Sequence, residues 1–292
     1  MIDLCSFWAV SRQAFYKDRK AASVKNEQRD FILSEVRNLR KSHVRLGTLK
    51  LMNELREPLE QCGRGFGRDK FFDLLRNHDM LIKRRRSYTV TTNSHHAFYK
   101  HTNQLAGVTI SAPDQAWVSD ITYVRTREKF VYLSLVTDVY SRKIVGWNVS
   151  SSLAVEGAMG AVKMALVNCC NAKGLIHHSD RGIQYCCHAY TDLLKGKKMR
   201  ISMGQAGNCY DNAIAERVNG ILKDEYLLDG EFLNQRHAMQ AVKEAIYLYN
   251  TQRPHWSLNL RKPADVYSEK RSLKEAGAAP LKEQEPASFI RT

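Results

Sequence analysis

Residues 117–123 read Trp117-Val118-Ser119-Asp120-Ile121-Thr122-Tyr123. Large or β-branched side chains alternate with small or polar ones, and the pattern extends to Val124, which predicts a strand with one buried face. Asp120 stands against that pattern, because aspartate is depleted in strands. Two further strands are expected over Phe130–Val136 and Lys143–Val149. The short turns between them, Arg125–Lys129 and Asp138–Arg142, make the three an antiparallel meander. Beyond it, Leu153–Cys169 reads as a helix rich in Ala, Val and Met, Leu175–His178 as a short strand, and Gln184–Leu194 as a helix. Met199–Met203 is another short strand, and the loop Gly204–Tyr210 leads to helices over about Asn212–Leu227 and Asn234–Tyr249. The order β-β-β-α-β-α-β-α-α predicts an α/β fold, a mixed sheet with helices on its faces.

Upstream the character is different. Residues 25–42 predict a charged helix with Phe31, Val36 and Leu39 as its apolar contacts. Residues 46–57 repeat the pattern with Leu46, Leu49, Met52 and Leu55, a Gly-rich turn follows at 63–67, and Asp69 to His78 carries Phe71, Phe72, Leu74 and Leu75 at core spacing. Helix, Gly-containing turn and helix in a basic context fit a helix-turn-helix, although any small helical bundle gives the same pattern. Lys83-Arg84-Arg85-Arg86 follows. Such a run either tracks phosphates or is a solvated linker, and the nearby Tyr88, Phe98 and Tyr99 favour nucleic acid. The expected division is a helical DNA-binding region over 1–86, a linker over 87–112, the mixed-sheet body over 113–267 and a flexible, charged, Ala- and Pro-containing tail over 268–292.

The whole chain has 292 residues and 45 Lys+Arg against 30 Asp+Glu, a formal net charge of +15. That excess points to a polyanionic partner. Residues 1–105 hold 21 of the basic residues against 11 acids, and residues 106–292 hold 24 against 19, so the excess is concentrated ahead of the body. No stretch is long and apolar enough for a membrane span. The opening Met1-Ile2-Asp3-Leu4-Cys5 lacks the pattern of a secretory signal, so a cytoplasmic location is expected. Seven cysteines, an odd number, read there as reduced thiols.

Three acids stand out from their settings. Asp120 lies inside a strand, Asp180 follows a short strand in His177-His178-Ser179-Asp180-Arg181-Gly182, and Glu216 sits in a helix whose Ala213, Ala215 and Gly220 allow close approach. Each alone has an ordinary explanation as a paired strand Asp, a turn Asp and a solvated helix Glu. Brought to one point, they would repel unless a cation joined them, and hard oxygen donors suit Mg²⁺ or Mn²⁺. Two such ions would clamp both oxygens of an in-line phosphoryl transfer. Lys223 lies seven residues after Glu216 and Asn212 four before it, so one helix edge offers Asn212, Glu216 and Lys223 to DNA.

Asp120, Asp180, thirty-five intervening residues, Glu216 and a basic residue seven further on resemble the DDE signature of retroviral-integrase-type recombinases. Trp117–Tyr123, Asp138-Val139-Tyr140-Ser141-Arg142, His178–Tyr185, Gly207–Ala213 and Tyr249–His255 resemble the transposases of the IS-three family of insertion sequences, and Ser11-Arg12 with Tyr16 resembles that family's opening. The resemblance implies an RNase H-like catalytic core, a triad of Asp120, Asp180 and Glu216 on two Mg²⁺ or Mn²⁺ ions, and DNA as substrate. It also implies a homo-oligomer on DNA and a first-reading-frame product as fusion or partner. The chain lacks a sustained heptad pattern and so looks like the second-frame portion.

Other residues leave choices open. Asp138 is a turn Asp or a neighbour of the metals. Gln184 and Tyr185 touch DNA or pack a helix. Arg253, His255 and Trp256 form a basic-aromatic cluster that either contacts DNA or packs the last helix. His177, His178, Cys186, Cys187 and His188 lack regular zinc spacing, and His178 reads instead as a wall of the active site. Besides a transposase, a non-catalytic DNA-binding regulator and a nuclease that cuts without joining are consistent with these residues.

Overall fold

The computed structural model describes residues 11–62, 66–83, 98–204 and 212–275. They divide into two compact units, one within Met1–Tyr88 together with Asp224–Leu227, the other within Thr89–Lys223 and Leu228–Thr292.

In the first unit, α1 (Arg12–Ser42), α2 (Thr48–Glu54), α3 (Arg56–Gln61) and α4 (Arg68–Asn77) surround one apolar core. The side chain of Ser11 caps α1 by accepting from the Ala14 N–H at 3.1 Å. The helix starts thirteen residues before the expected position, and its buried residues are Ile32, Leu33 and Val36. Phe31, expected as a core contact, is exposed, as is Leu49. Leu55 interrupts the helix expected over 46–57 and separates α2 from α3. Its own side chain is buried with Leu51 and Leu59, so the break keeps all three in the core.

The second unit is a sheet of β1 (Ala116–Thr126), β2 (Phe130–Asp138), β3 (Ile144–Ser150), β4 (Ile176–Ser179) and β5 (Arg200–Met203), in the order β3-β2-β1-β4-β5. The meander β1–β2–β3 is antiparallel, as expected, while β4 and β5 run parallel to β1. A two-residue strand that the sequence did not signal, β6 (Glu231–Phe232), pairs with the far end of β1.

The odd-numbered face of β1, with Trp117, packs against α5 (Val155–Val167) and α7 (His188–Gly196), which carry Ala158, Ala161, Val162, Tyr190 and Leu194. The even-numbered face, with Ala116 and Val118, meets Ala215 of α8 (Ala213–Glu225). The expected helix over Gln184–Leu194 is two pieces, α6 (Ile183–Cys186) and α7, separated by an extended Cys187 at ψ 152°.

α9 (Gln235–Thr251) covers the outer edge of the sheet. Asn250 accepts from the Ile144 N–H at 2.9 Å and donates to the Ile144 carbonyl at 3.0 Å, which satisfies the exposed rim of β3 as a further strand would. α10 (Pro263–Glu275) runs past the expected start of the flexible tail at 268, with Val266 and Tyr267 buried. The expected linker also changes character within its length. Phe98 packs on the sheet's core and the Gln104 N–H bonds Ser202 Oγ at 2.8 Å, so residues from 98 onward belong to the second unit.

Candidate active site

The β1–β4 register positions the first two carboxylates. Trp117 pairs with His177 and Ser119 with Ser179, so Asp120, the next residue of β1, comes beside Asp180, the first residue after β4. Parallel partners in register point to the same face and sit on the order of 5 Å apart at Cα. That face is the one α8 covers. The opposite face is closed by polar pairing, with Ser119 Oγ 2.8 Å and the Tyr190 hydroxyl 3.0 Å from His177 Nε2. Burial pushes the His177 imidazole down to about 3, so this layer is uncharged scaffolding beneath the acids.

Asp120 Oδ1 accepts from the Ile121 N–H at 2.9 Å, and Oδ2 accepts from Asn219 Nδ2 at 2.6 Å. Burial pushes this carboxyl up to about 7; Asp180 and, more weakly, Glu216 push the same way, and the hydrogen bonds from Asn219 and Ile121 resist. Asp180 lies where β4 ends, and its Oδ1 accepts from the Gly182 N–H at 2.9 Å. The turn reading of Asp180 and the functional one thus hold together: one oxygen fixes the turn while the side chain reaches a pocket. That pocket, about 190 Å³ in volume, has Asp120 and Asp180 in its wall with Tyr123, Tyr132, Gln184 and Tyr185.

Glu216 is exposed on the first turn of α8 and near enough to act on Asp120 electrostatically, but it is not in the pocket wall. Among the described residues no three His, Cys, Asp or Glu side chains are gathered closely enough to hold one ion. The side chain of α8 that touches Asp120 is Asn219, 7% exposed and three residues after Glu216. The sequence reading passed over it; the signal was its i+3 position on the face of an acid already singled out. Of the small residues expected to let α8 approach closely, only Ala215 does so, and Gly220 faces open space.

The donors around the pair are oxygens, and the Asp120 carboxyl titrates near neutrality because it is buried, with Asp180 beside it adding to the rise. Such a pair is relieved by a proton or by a hard divalent cation, and its chemistry fits Mg²⁺ or Mn²⁺.

The remaining expected residues separate clearly. The Lys223 ammonium lies 4.1 Å from the centre of the Tyr123 ring and feels Asp120, while burial lowers its pKa. Asn212 is 8% exposed, so its expected DNA contact gives way to packing at the start of α8. Arg253 is 1% exposed, with its guanidinium 5.8 Å from the centre of the Tyr249 ring and Nη1 donating to the Pro254 carbonyl. It packs the end of α9 rather than offering itself to DNA, whereas Trp256 is exposed.

Asp138 resolves to the turn reading. Its oxygens accept from the Asp114 N–H, the Ser141 N–H and the Ser141 hydroxyl at 2.6–2.8 Å, and burial raises it to about 6. His178 is fully buried, with Nδ1 2.8 Å from Ser202 Oγ. Gln184 donates to the Leu153 carbonyl, and Tyr185 is buried with its edge on Tyr190. Lys83 is exposed, and Arg84, Arg85 and Arg86 lie outside the described residues.

Two family models described as "Integrase core domain" match residues 110–209 and 197–263. Together the two matches span the mixed sheet and the helices α5 to α9 that pack with it. An insertion element IS600 31 kDa protein of Shigella sonnei, described as uncharacterized, is 36% identical over 270 residues, 89% of this chain and 96% of its own. Transposase InsF for insertion sequence IS3A of Escherichia coli is 32% identical over 244 residues, 82% of this chain and 83% of its own. Among solved structures, the HTLV-2 integrase catalytic core domain in complex with magnesium aligns with 53% of this chain and 97% of its own, at a TM-score of 0.43 and 18% identity. The chain belongs to the IS-three family of insertion-sequence transposases.

Proposed function

We propose that the chain is a DDE polynucleotidyl transferase that cuts DNA at the ends of an insertion sequence and joins the freed 3′-OH to another strand. The observation that carries this reading is the adjacency of Asp120 and Asp180 in the register of two parallel strands, with Glu216 on the helix above. Asp120, Asp180 and Glu216 would hold two Mg²⁺ or Mn²⁺ ions. Bound there, the ions would supply neutralisation of the phosphate oxygens and polarisation of the attacking oxygen.

The protein's own part is positioning. Asn219 and the Ile121 N–H fix the Asp120 carboxylate, and the Gly182 N–H fixes Asp180. Lys223 adds positive charge beside Asp120, and Lys83 with Arg84, Arg85 and Arg86 would track DNA phosphates.

In the first reaction water adds to the phosphorus at an element end, the P–O3′ bond breaks, and the departing oxygen takes a proton to become a 3′-OH. That hydroxyl then attacks a second phosphodiester in line, whose own P–O3′ bond breaks and releases another 3′-OH. One phosphodiester replaces another, so the joining step needs no external energy. Its first use would be to join the two ends of the element into a circle that later inserts. The working form would be an oligomer on DNA in the bacterial cytosol, together with the first-reading-frame product. Among the described residues no helix is long and apolar enough to cross a membrane.

The test incubates the protein, alone and fused to its upstream partner, with element-end DNA and Mg²⁺. The wild type is expected to yield 3′-OH ends and joined strands. Removing a group that stabilises transition-state charge costs on the order of 10²–10³ in rate, and Glu216→Gln should lose at least that. Normal cleavage by Glu216→Gln would overturn the triad, and cutting without joining would make the protein a nuclease.

A further inference from the structure

From Lys17 to Arg29 the long helix α1 buries no side chain. Its Lys17, Lys20, Val24 and Lys25 nonetheless follow the spacing of one helical face, and with Arg29 they form one side of a groove of about 760 Å³. α4 forms the other side with Lys70, and Val24, Phe66 and Leu74 supply apolar surface between the rims.

The charges are sorted. Five cations line the groove against a single carboxylate, Asp73, which is already paired with Arg76. The acids on the same stretch of α1, Asp18 and Glu27, are not in the wall. None of the five cations forms an ion pair with another described residue.

We propose that this groove seats the sugar–phosphate backbone of duplex DNA, independently of base sequence. Cations in a line favour a regular polyanion over a compact acidic patch. Lys17 and Arg29 are separated by about 18 Å along the helix axis, long enough to meet several successive phosphates of one strand. The apolar strip between the rims suits deoxyribose, and Lys and Arg on phosphates give affinity and orientation without reading sequence. The proposal rests on the transposase reading only for the identity of the polyanion.

The experiment measures binding of the full chain to a duplex of unrelated sequence, in EDTA, across a range of salt. Lys20→Glu/Lys25→Glu/Arg29→Glu is compared with Arg12→Glu/Arg19→Glu/Arg37→Glu, an equal charge reversal on α1 outside the groove. The groove variant is expected to bind about tenfold or more weakly at 0.1 M salt, with a log–log salt slope shallower by about 2–3, and the control to stay near wild type. Equal weakening of both variants, or of neither, overturns the groove. Capture of an acidic peptide with no change in DNA affinity overturns it in favour of a protein partner. Because the readout is binding without metal, a chain that never cleaves would still reveal the groove, and a cleaving chain with an indifferent groove variant would sink this proposal alone.

Discussion

Two aspartates in the sheet, Asp120 and Asp138, are both pushed up by burial and differ in what surrounds them. Asp138 accepts three hydrogen bonds from its own turn and from Asp114, so its carboxylate is used by the backbone. Asp120 has one donor from a neighbouring element, Asn219, and beside it a second carboxylate. A hydrogen bond to a charged group contributes about 1.5–3 kcal/mol, and each 1.4 kcal/mol at the transition state is about tenfold in rate. Asn219→Ala is therefore expected to lower turnover by about 10- to 100-fold, with DNA affinity unchanged, because the side chain is buried and holds Asp120. Asn219→Asp should be worse at low Mg²⁺ and partly recover at high Mg²⁺, since it adds a third negative group beside the pair. Wild-type turnover in Asn219→Ala, measured in single-turnover cleavage, would reduce Asn219 to packing.

At the level of elements, legibility follows where the apolar period is strong. The strand through Asp120 was readable because Trp117, Ser119 and Ile121 alternate with the residues facing α8, and the structure extends it by only one residue upstream and two downstream. The first half of α1 was invisible because it buries nothing, and a reading built on apolar spacing has no purchase on a helix held by its Ser11 cap and its exposed charges. The breaks at Leu55 and Cys187 lie within continuous apolar patterns, so only backbone geometry reveals them. The adjacency of Asp120 and Asp180 depends on register across 59 intervening residues, which no local pattern encodes; the multi-word family resemblance carried that part.

Glycines add a contrast that local pattern did not reveal. A Cβ on Gly146 of β3 would lie 2.1 Å from the Ala161 carbonyl oxygen and 2.9 Å from Ala165 Cβ, so α5 rests directly on that backbone. Gly146→Ala should destabilise by about 1–3 kcal/mol or more, as overpacking does. Gly220 of α8 has nothing within 4 Å of its Cβ position, and Gly220→Ala should stabilise by about 0.5–1 kcal/mol. Denaturant midpoints of the two variants should move in opposite directions, and a shared direction would refute this account of the packing.

For the whole molecule, the site that suits DNA chemistry works against the stability of the metal-free fold. Asp120 titrates near 7 in the folded protein, against an ordinary value of 3.8. Between those values the folded chain keeps a proton that the unfolded chain has released, so this group makes stability fall as pH rises from about 4 to 7 and adds no slope above. His177, lowered to about 3, works in the opposite direction below its ordinary 6.5, and Asp138, raised to about 6, works in the same direction as Asp120. The wild-type curve therefore mixes signs, and the difference between wild type and Asp120→Asn isolates the one group. In EDTA that difference should shift against the wild type from pH 4 to pH 7 and then level off, leaving Asp120→Asn at least as stable at pH 8. A divalent cation needs the ionised carboxylate, so Mg²⁺ should raise the wild-type Tm more at pH 8 than at pH 5 and leave Asp120→Asn unmoved. For a chain of this size each kcal/mol corresponds to a shift of about 2–4 °C, within reach of scanning calorimetry. An Asp120→Asn protein that is less stable than wild type at pH 8 in EDTA, or that gains as much from Mg²⁺, would show that the pair is neutralised from within the fold and is not waiting for a metal ion.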